Sequence, residues 1–192
     1  IIICNKKHSF LVGKALDKFN VKAHIILEPE GRNTTAAIYM AAKSSSGNDN
    51  LLIMPSDHLI PNISKFVEDI NNIKKMSTFN HWITLGIKPS KPSEAYGYIK
   101  VSKKNDYNGL LKVTNFIEKP TKKIASKLMN DNSYFWNAGI FLGKSSMIIN
   151  SIKNHAPNIS KICDEVFNNR IITNESDEIN FSPDTFAKIP SI

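Results

Sequence analysis

Strand-sized apolar runs that alternate with helix-periodic segments constrain this 192-residue chain more than any other feature. Runs at 1–4, 25–27, 51–54 and 81–85 are too short for helices and carry almost no polar residues. Between them, Phe10, Leu11, Ala15, Leu16 and Phe19 recur at helical spacing. So do Ile63, Phe66, Val67, Ile70 and Ile73, and residues 34–43 read as a small-residue helix with Asn33 as its N-cap. Apolar strands between helices indicate a parallel sheet covered on both faces. The second half changes character. Alternating segments at 96–101 and 110–118 flank the turn-rich stretch 105–109, which reads as a small antiparallel insertion. Residues 124–129, 147–152 and 159–167 read as helices and 139–142 as a strand. The expectation is an α/β fold with a mostly parallel sheet flanked by helices, in one domain over 1–192.

Bulk properties exclude several classes. No apolar run approaches the length of a membrane span. Cys4 and Cys163 have neither disulfide-framework nor metal-ligand spacing, so a reducing cytoplasm is the default compartment. The formal charge is +8, but the lysines are scattered singly or in pairs such as Lys6-Lys7 and Lys122-Lys123. That pattern suits a solvated surface or phosphorylated small substrates, and no basic, aromatic-interleaved stripe calls for nucleic acid. The chain begins with Ile inside a strand-like run and ends without a polar tail, so it reads as a piece of something longer.

In open sheets, ligands sit beyond the carboxyl ends of strands. One such place is Glu28-Pro29-Glu30-Gly31-Arg32-Asn33-Thr34, a strand end entering a helix N-terminus. It suits an anion or a planar, acceptor-rich ring, or it is a plain capped turn. Asp57 in Pro55-Ser56-Asp57-His58 either holds Mg²⁺ or caps a turn, and His58 reads as a structural hydrogen-bonding residue. Gly97 in Tyr96-Gly97-Tyr98 marks a close approach or a packed strand. Glu118-Lys119-Pro120 offers a carboxylate for sugar hydroxyls and an ammonium for phosphate, or a surface pair. Asn137 in Trp136-Asn137-Ala138-Gly139 faces a polyol or turns into the next strand.

Taken in order, Glu28-Pro29-x-x-Arg32-Asn33-Thr34, Pro55-Ser56-Asp57-His58, Tyr96-Gly97-Tyr98-Ile99, Glu118-Lys119-Pro120 and Trp136-Asn137-x-Gly139 resemble the bacterial mannose-1-phosphate guanylyltransferase family. The similarity runs along nearly the whole chain. It implies a Rossmann-like nucleotidyltransferase fold and transfer of GMP from GTP to mannose 1-phosphate, giving GDP-mannose and pyrophosphate. By matching position, Glu28, Pro29, Arg32, Asn33 and Thr34 would line the guanine pocket, and Asp57 would bind Mg²⁺. Gly97, Glu118, Asn137 and Gly139 would contact the sugar, and Lys119 its phosphate. Asp57 and Lys119 are thereby the expected catalytic pair. Two departures stand out. Thr34-Thr35-Ala36-Ala37 lacks the Pro of the usual Thr-Ala-Pro-Ala, and Glu94-Ala95 replace the usual Thr-Gly.

The resemblance also implies parts outside this stretch: a Gly-rich triphosphate loop before Ile1, a second Mg²⁺-binding Asp after Ile192, and in some members an isomerase domain. On that reading the domain is incomplete at both ends and these 192 residues alone turn over little substrate. Two rivals are a related enzyme for another sugar or base, and a non-catalytic nucleotide-sugar-binding domain. Assembly into a homo-oligomer is left open.

Overall fold

In the computed structural model, which describes all residues except 77–78, 108, 174–177 and 192, the first apolar runs form the expected strands. Strand β1 (Ile2–Asn5) leads through a 3-10 turn (Lys6–His8) into helix α1 (Ser9–Phe19). Asn20 closes α1 in the left-handed region, its N–H bonding back to Leu16 and Asp17 carbonyls. Strand β2 (Ile25–Glu28) pairs in parallel with β1, and helix α2 (Asn33–Lys43) follows. After β3 (Asn50–Ile53), α3 (Ile63–Met76) and β4 (Ile83–Ile87) come β5 (Tyr98–Tyr107) and β6 (Leu110–Ile117). Helix α4 (Lys122–Met129), β7 (Tyr134–Lys144), α5 (Ser145–His155) and α6 (Pro157–Asn168) complete the expected elements. Strands β8 (Ile171–Thr173) and β9 (Glu178–Asn180) and helix α7 (Pro183–Phe186) carry no sequence signal strong enough to have been expected.

The described chain forms two compact units. The first holds residues 1–49 and 144–192, with sheet order β1-β2-β9-β8. Its pairs β1–β2 and β2–β9 are parallel, and β8–β9 is antiparallel. Helices α2, α5 and α6 pack together over a core that includes Ile26, Tyr39, Met40, Ile148 and Val166. Ala36 and Ala42 on α2 are fully buried, and their small side chains let neighbouring helices approach. Each fully buried Ile contributes about 1.5–3 kcal/mol of transfer free energy.

The second unit, residues 50–143, holds the sheet order β3-β7-β5-β6, with β4 also on β7. Pairs β4–β7, β5–β6 and β5–β7 are antiparallel. The sheets are thus mixed, and antiparallel pairing extends well beyond the β5–β6 hairpin. That hairpin joins the two alternating segments as expected; of its turn, Gly109 has φ of 97°, while residue 108 lies outside the described residues. One core gathers Ile73, Phe79 and Leu142, a second Tyr98, Ala125 and Leu128.

Three expectations need correction. Strand β3 alternates exposed and half-buried residues, so its apolar run is not buried on both faces. Strand β7 begins at Tyr134, so Trp136-Asn137-Ala138-Gly139 lies inside it and is no turn before it. Helix α1 has the expected period, yet Phe10, Leu11 and Phe19 are 62–70% exposed. Among the described residues, its one substantial neighbour is the 3-10 turn before it. No helix is long and apolar enough to cross a membrane among the described residues.

A polar network ties the first unit together. Tyr39, whose ring is fully buried, donates its hydroxyl to Asp164 at 3.0 Å, and Lys43 Nζ meets the same oxygen at 3.0 Å. Lys153 adds a longer contact at 3.7 Å. Burial raises the Asp164 pKa, but the bonds from Lys43 and Tyr39 and the charges of Lys43 and Lys153 outweigh it and hold it below the usual value. A depressed carboxylate stabilises the fold above its unfolded pKa and loses that contribution as pH falls through its folded value. Tyr39→Phe should therefore cost about 1 kcal/mol at neutral pH. In thermal unfolding, that cost should shrink on acidification, as Asp164 takes a proton.

Candidate functional site

At the end of β2 the chain turns sharply from sheet to helix. Glu28 is the last strand residue, and α2 starts five residues later. Burial alone raises the Glu28 pKa, and its Oε1 is buried with no hydrogen-bond partner. Arg32 is half-buried; one terminal nitrogen meets Glu30 Oε1 at 2.5 Å, while its Nε is buried and unpartnered. A buried donor and a buried acceptor thus lack partners within one short segment. Such groups cost about 1–3 kcal/mol when left unmet, so the arrangement suits a polar ligand edge.

Asn33 does not cap α2 as expected. Arg32 occupies the N-cap position without a side-chain cap, and Asn33 has φ of 63°. Asn is among the few residues that tolerate the left-handed region, which gives its identity a backbone reason. Its Nδ2 donates to Ser191 Oγ at 3.1 Å. Pro29 is half-buried and Thr34 exposed in the same segment.

In the second unit, residues distant in sequence converge. Asn137 N–H donates to the Gly97 carbonyl at 2.8 Å. A Cβ on Gly97 would fall 2.8 Å from Glu118 Oε2 and 2.8 Å from the Phe116 ring. The missing side chain is what lets the Glu118 carboxylate lie there. Gly97 itself stands just before β5, not within the strand. Gly139 N–H reaches Asn137 Oδ1 at 3.3 Å, and the Gly139 Cβ position lies 3.7–3.9 Å from Pro55 and His58. Gly97, which is buried, thus adjoins the half-buried Asn137 and the exposed Glu118, and Gly139 adjoins Asn137 and the Pro55–His58 turn, so these residues form one contiguous cluster of this unit.

A bulge creates that cluster. Thr84 pairs with Phe141, but Gly86 pairs with Asn137, so Leu85 faces a stretch of three residues on β7. Gly139, at φ of 68°, supplies the backbone conformation the bulge needs. Asp57 is exposed after β3, and its carboxylate has no partner among the described residues. His58, expected to hydrogen-bond structurally, is exposed and makes no such bond among the described residues. Lys119 extends to solvent 3.8 Å from Glu118, with φ of 42°. That positive φ directly before Pro120 is a strained placement. No cluster of three or more His, Cys, Asp or Glu side chains suited to a metal occurs among the described residues.

Two contacts around these residues were not foreseen. Thr84 donates to Asn137 Oδ1 at 2.8 Å and approaches the Ile140 carbonyl at 3.0 Å. Glu94 Oε1 accepts the Lys122 N–H at 2.9 Å, capping α4 in place of Thr121. Strand periodicity carries no signal for either contact, because both cross between elements far apart in sequence.

Comparison with known proteins follows the same outline. The nucleotidyl transferase family profile matches residues 1–178. A putative mannose-1-phosphate guanylyltransferase of Vibrio cholerae is 32% identical over 99% of this chain and 41% of its own length. A mannose-1-phosphate guanylyltransferase of Escherichia coli is 33% identical over 99% of this chain and 42% of its own. The chain therefore spans about two-fifths of the length of these relatives. A crystal structure described as mannose-6-phosphate isomerase from Helicobacter pylori superposes with TM-score 0.89 at 27% identity, covering all of this chain and 74% of that one. A Thermus thermophilus structure described as a mannose-1-phosphate geranyltransferase, at 21% identity and TM-score 0.79, shares the fold over 99% of this chain and 52% of that one.

The unpartnered Glu28 carboxylate carries a stability consequence. Its raised pKa means it destabilises the free fold as pH rises above the usual carboxylate value and toward its folded value. Glu28→Gln should stabilise the free protein at neutral pH by on the order of 1 kcal/mol. The gain should vanish in acid, where both side chains are neutral, in paired urea titrations.

Proposed function

The chain belongs to the nucleotidyl transferase family, and from that membership we propose that it forms part of a mannose-1-phosphate guanylyltransferase. The observation that carries this reading is the convergence of Gly97, Glu118, Asn137 and Gly139 into one cluster beside the Pro55–His58 turn. A carboxylate against Gly97, whose carbonyl accepts the Asn137 N–H, and the Asn137 amide beside Gly139 suit the several hydroxyls of a hexose. The adjacent Lys119 ammonium supplies a cation for its phosphate.

In the proposed reaction, an oxygen of mannose 1-phosphate attacks the α-phosphorus of GTP. A new P–O bond forms, the bond to the β-phosphate bridge breaks, and pyrophosphate leaves with that electron pair. No protein nucleophile is required. The protein's part is positioning and charge neutralisation. Glu28 Oε1 would accept from the base's ring N–H and amino groups, and Arg32 would donate to its acceptors. Both atoms lack protein partners, so a base edge that presents the opposite pattern satisfies them at once. Glu118 would accept from sugar hydroxyls, and Asn137 would bond them through its amide.

Asp57 fits a magnesium site chemically. It is a hard oxygen donor, exposed and without a competing partner among the described residues. Asp57 would hold Mg²⁺, which when bound would supply positive charge to neutralise the phosphates. Localisation in the cytoplasm belongs to the same proposal.

Two measurements test it, on protein expressed within its complete reading frame. Asp57→Asn should lower pyrophosphate release from GTP and mannose 1-phosphate by at least about a hundredfold with the fold intact by circular dichroism. Near-normal turnover would reduce Asp57 to a turn residue. For the base, Asn33→Gly is a cleaner probe than Ala, because Gly keeps the positive φ. In thermal-shift comparison with ATP, UTP and dTTP, the preference for GTP should fall about five- to tenfold. Unchanged preference would remove Asn33 from the base site.

A further inference from the structure

The β4–β7 bulge does more than bend a strand, because it decides which way the Asn137 amide points. A regular antiparallel ladder continued from the Thr84–Phe141 pair would set Asn137 opposite Lys88. The bulge sets it opposite Gly86 instead, two residues nearer to Thr84. A two-residue slip preserves the side-chain alternation, so the faces of β7 do not exchange. Its effect is to bring the Thr84 hydroxyl within 2.8 Å of Asn137 Oδ1.

Two donors converge on that one oxygen. The Gly139 backbone N–H, 3.3 Å away, can only donate, so the amide atom it faces must be the acceptor. The Thr84 hydroxyl has one proton and two neighbours, Asn137 Oδ1 at 2.8 Å and the Ile140 carbonyl at 3.0 Å. Were the proton given to Ile140, two oxygen lone pairs would face each other across the shorter gap. The proton therefore goes to Asn137, and Oδ1 is saturated by Thr84 and Gly139. The amide nitrogen, with two N–H groups, meets no acceptor among the described residues.

We propose that Thr84 is a positioning residue that holds the Asn137 amide with its NH₂ group outward, so that Asn137 acts toward the sugar phosphate as a donor of two hydrogen bonds. This rests on the reading of Asn137 as a sugar contact. It adds the polarity of that contact and the residue that sets it. Glu118, whose carboxylate only accepts, then supplies the opposite polarity in the same cluster, so hydroxyl oxygens and hydroxyl protons are both met.

The test uses ¹⁵N-labelled protein expressed within its complete reading frame, with mannose 1-phosphate as the probe. Read without sugar, the Asn137 side-chain NH₂ resonances should move in Thr84→Val and return close to wild type in Thr84→Ser. Unmoved resonances in Thr84→Val would overturn the proposal. In titrations, Thr84→Val should bind the sugar phosphate about five- to tenfold more weakly at an unchanged unfolding midpoint, with Thr84→Ser restoring affinity. Equal loss in Ser and Val, or a lowered midpoint with undiminished affinity in the folded protein, would also overturn it. Asn137→Asp, which keeps the acceptor but loses both donors, should bind at least as weakly as Thr84→Val. Undiminished binding by Asn137→Ala would instead remove Asn137 from the sugar site, while the sugar-free resonances still report on Thr84.

Discussion

Strand β7 is shared by β3, β4 and β5, so both of its edges are committed to the sheet. A strand used on both sides has little freedom to shift, because every displacement breaks backbone bonds to several neighbours. The bulge at Gly139 is therefore a fixed irregularity, and the cluster around it inherits that rigidity. The Asn137 backbone is anchored by its bond to Gly97, and its side chain by Thr84. Sites built on such elements hold their geometry better than sites on loops.

Local cost falls on several of the residues that the sequence motifs single out. Among the described residues, Asn33 and Lys119 are two of the four non-glycine positions with positive φ. Among the same described residues, Glu28 Oε1 and Arg32 Nε are two of three buried side-chain polar atoms without a partner; the third is Trp136 Nε1, next to Asn137. The scaffold shows the opposite pattern. Tyr39, Lys43 and Lys153 surround Asp164 and satisfy it, and Ser145 N–H donates to the Asp49 carbonyl at 2.8 Å. Strain and unmet polarity at candidate site residues, beside a well-satisfied core, is the distribution expected where folding and binding compete for the same groups.

Element type was legible wherever period and burial agreed. The pattern Ile63, Phe66, Val67, Ile70, Ile73 gave α3, and the alternation on both sides of Gly109 gave the β5–β6 hairpin. Order along the chain also located the candidate residues at strand ends, because Glu28 closes β2 while Asp57 and Glu118 follow the ends of β3 and β6. Sheet direction was not legible. The residues of β4 suit a parallel or an antiparallel partner equally, and its place on β7 comes from contacts across more than fifty residues of sequence. Strands β8 and β9 are three residues each, below the length at which alternation can be recognised. The bulge was hidden for a similar reason. Gly139 announces only that positive φ is tolerated there, and the slip depends on what β4 presents opposite.

The replacement of the usual Thr-Gly by Glu94-Ala95 shows how a local departure is absorbed. Helix α4 has no side-chain cap from Thr121, and the Glu94 carboxylate takes the Lys122 N–H instead. A carboxylate at a helix N-terminus is favoured by both the free N–H groups and the helix dipole. The helix so anchored places Ala125 and Leu128 against Tyr98, which is fully buried, and the Tyr98 hydroxyl in turn accepts the Ser93 N–H. Glu94 is thereby tied at both ends of one circuit, from its own loop through α4 to the start of β5. With that carboxylate engaged by the helix, the proposed sugar contact here is left to Gly97 and to the Glu118 carboxylate lying against it. A side chain at Gly97 would fall 2.8 Å from both the Glu118 carboxylate and the Phe116 ring, so the bare backbone at this buried position is what leaves room for Glu118.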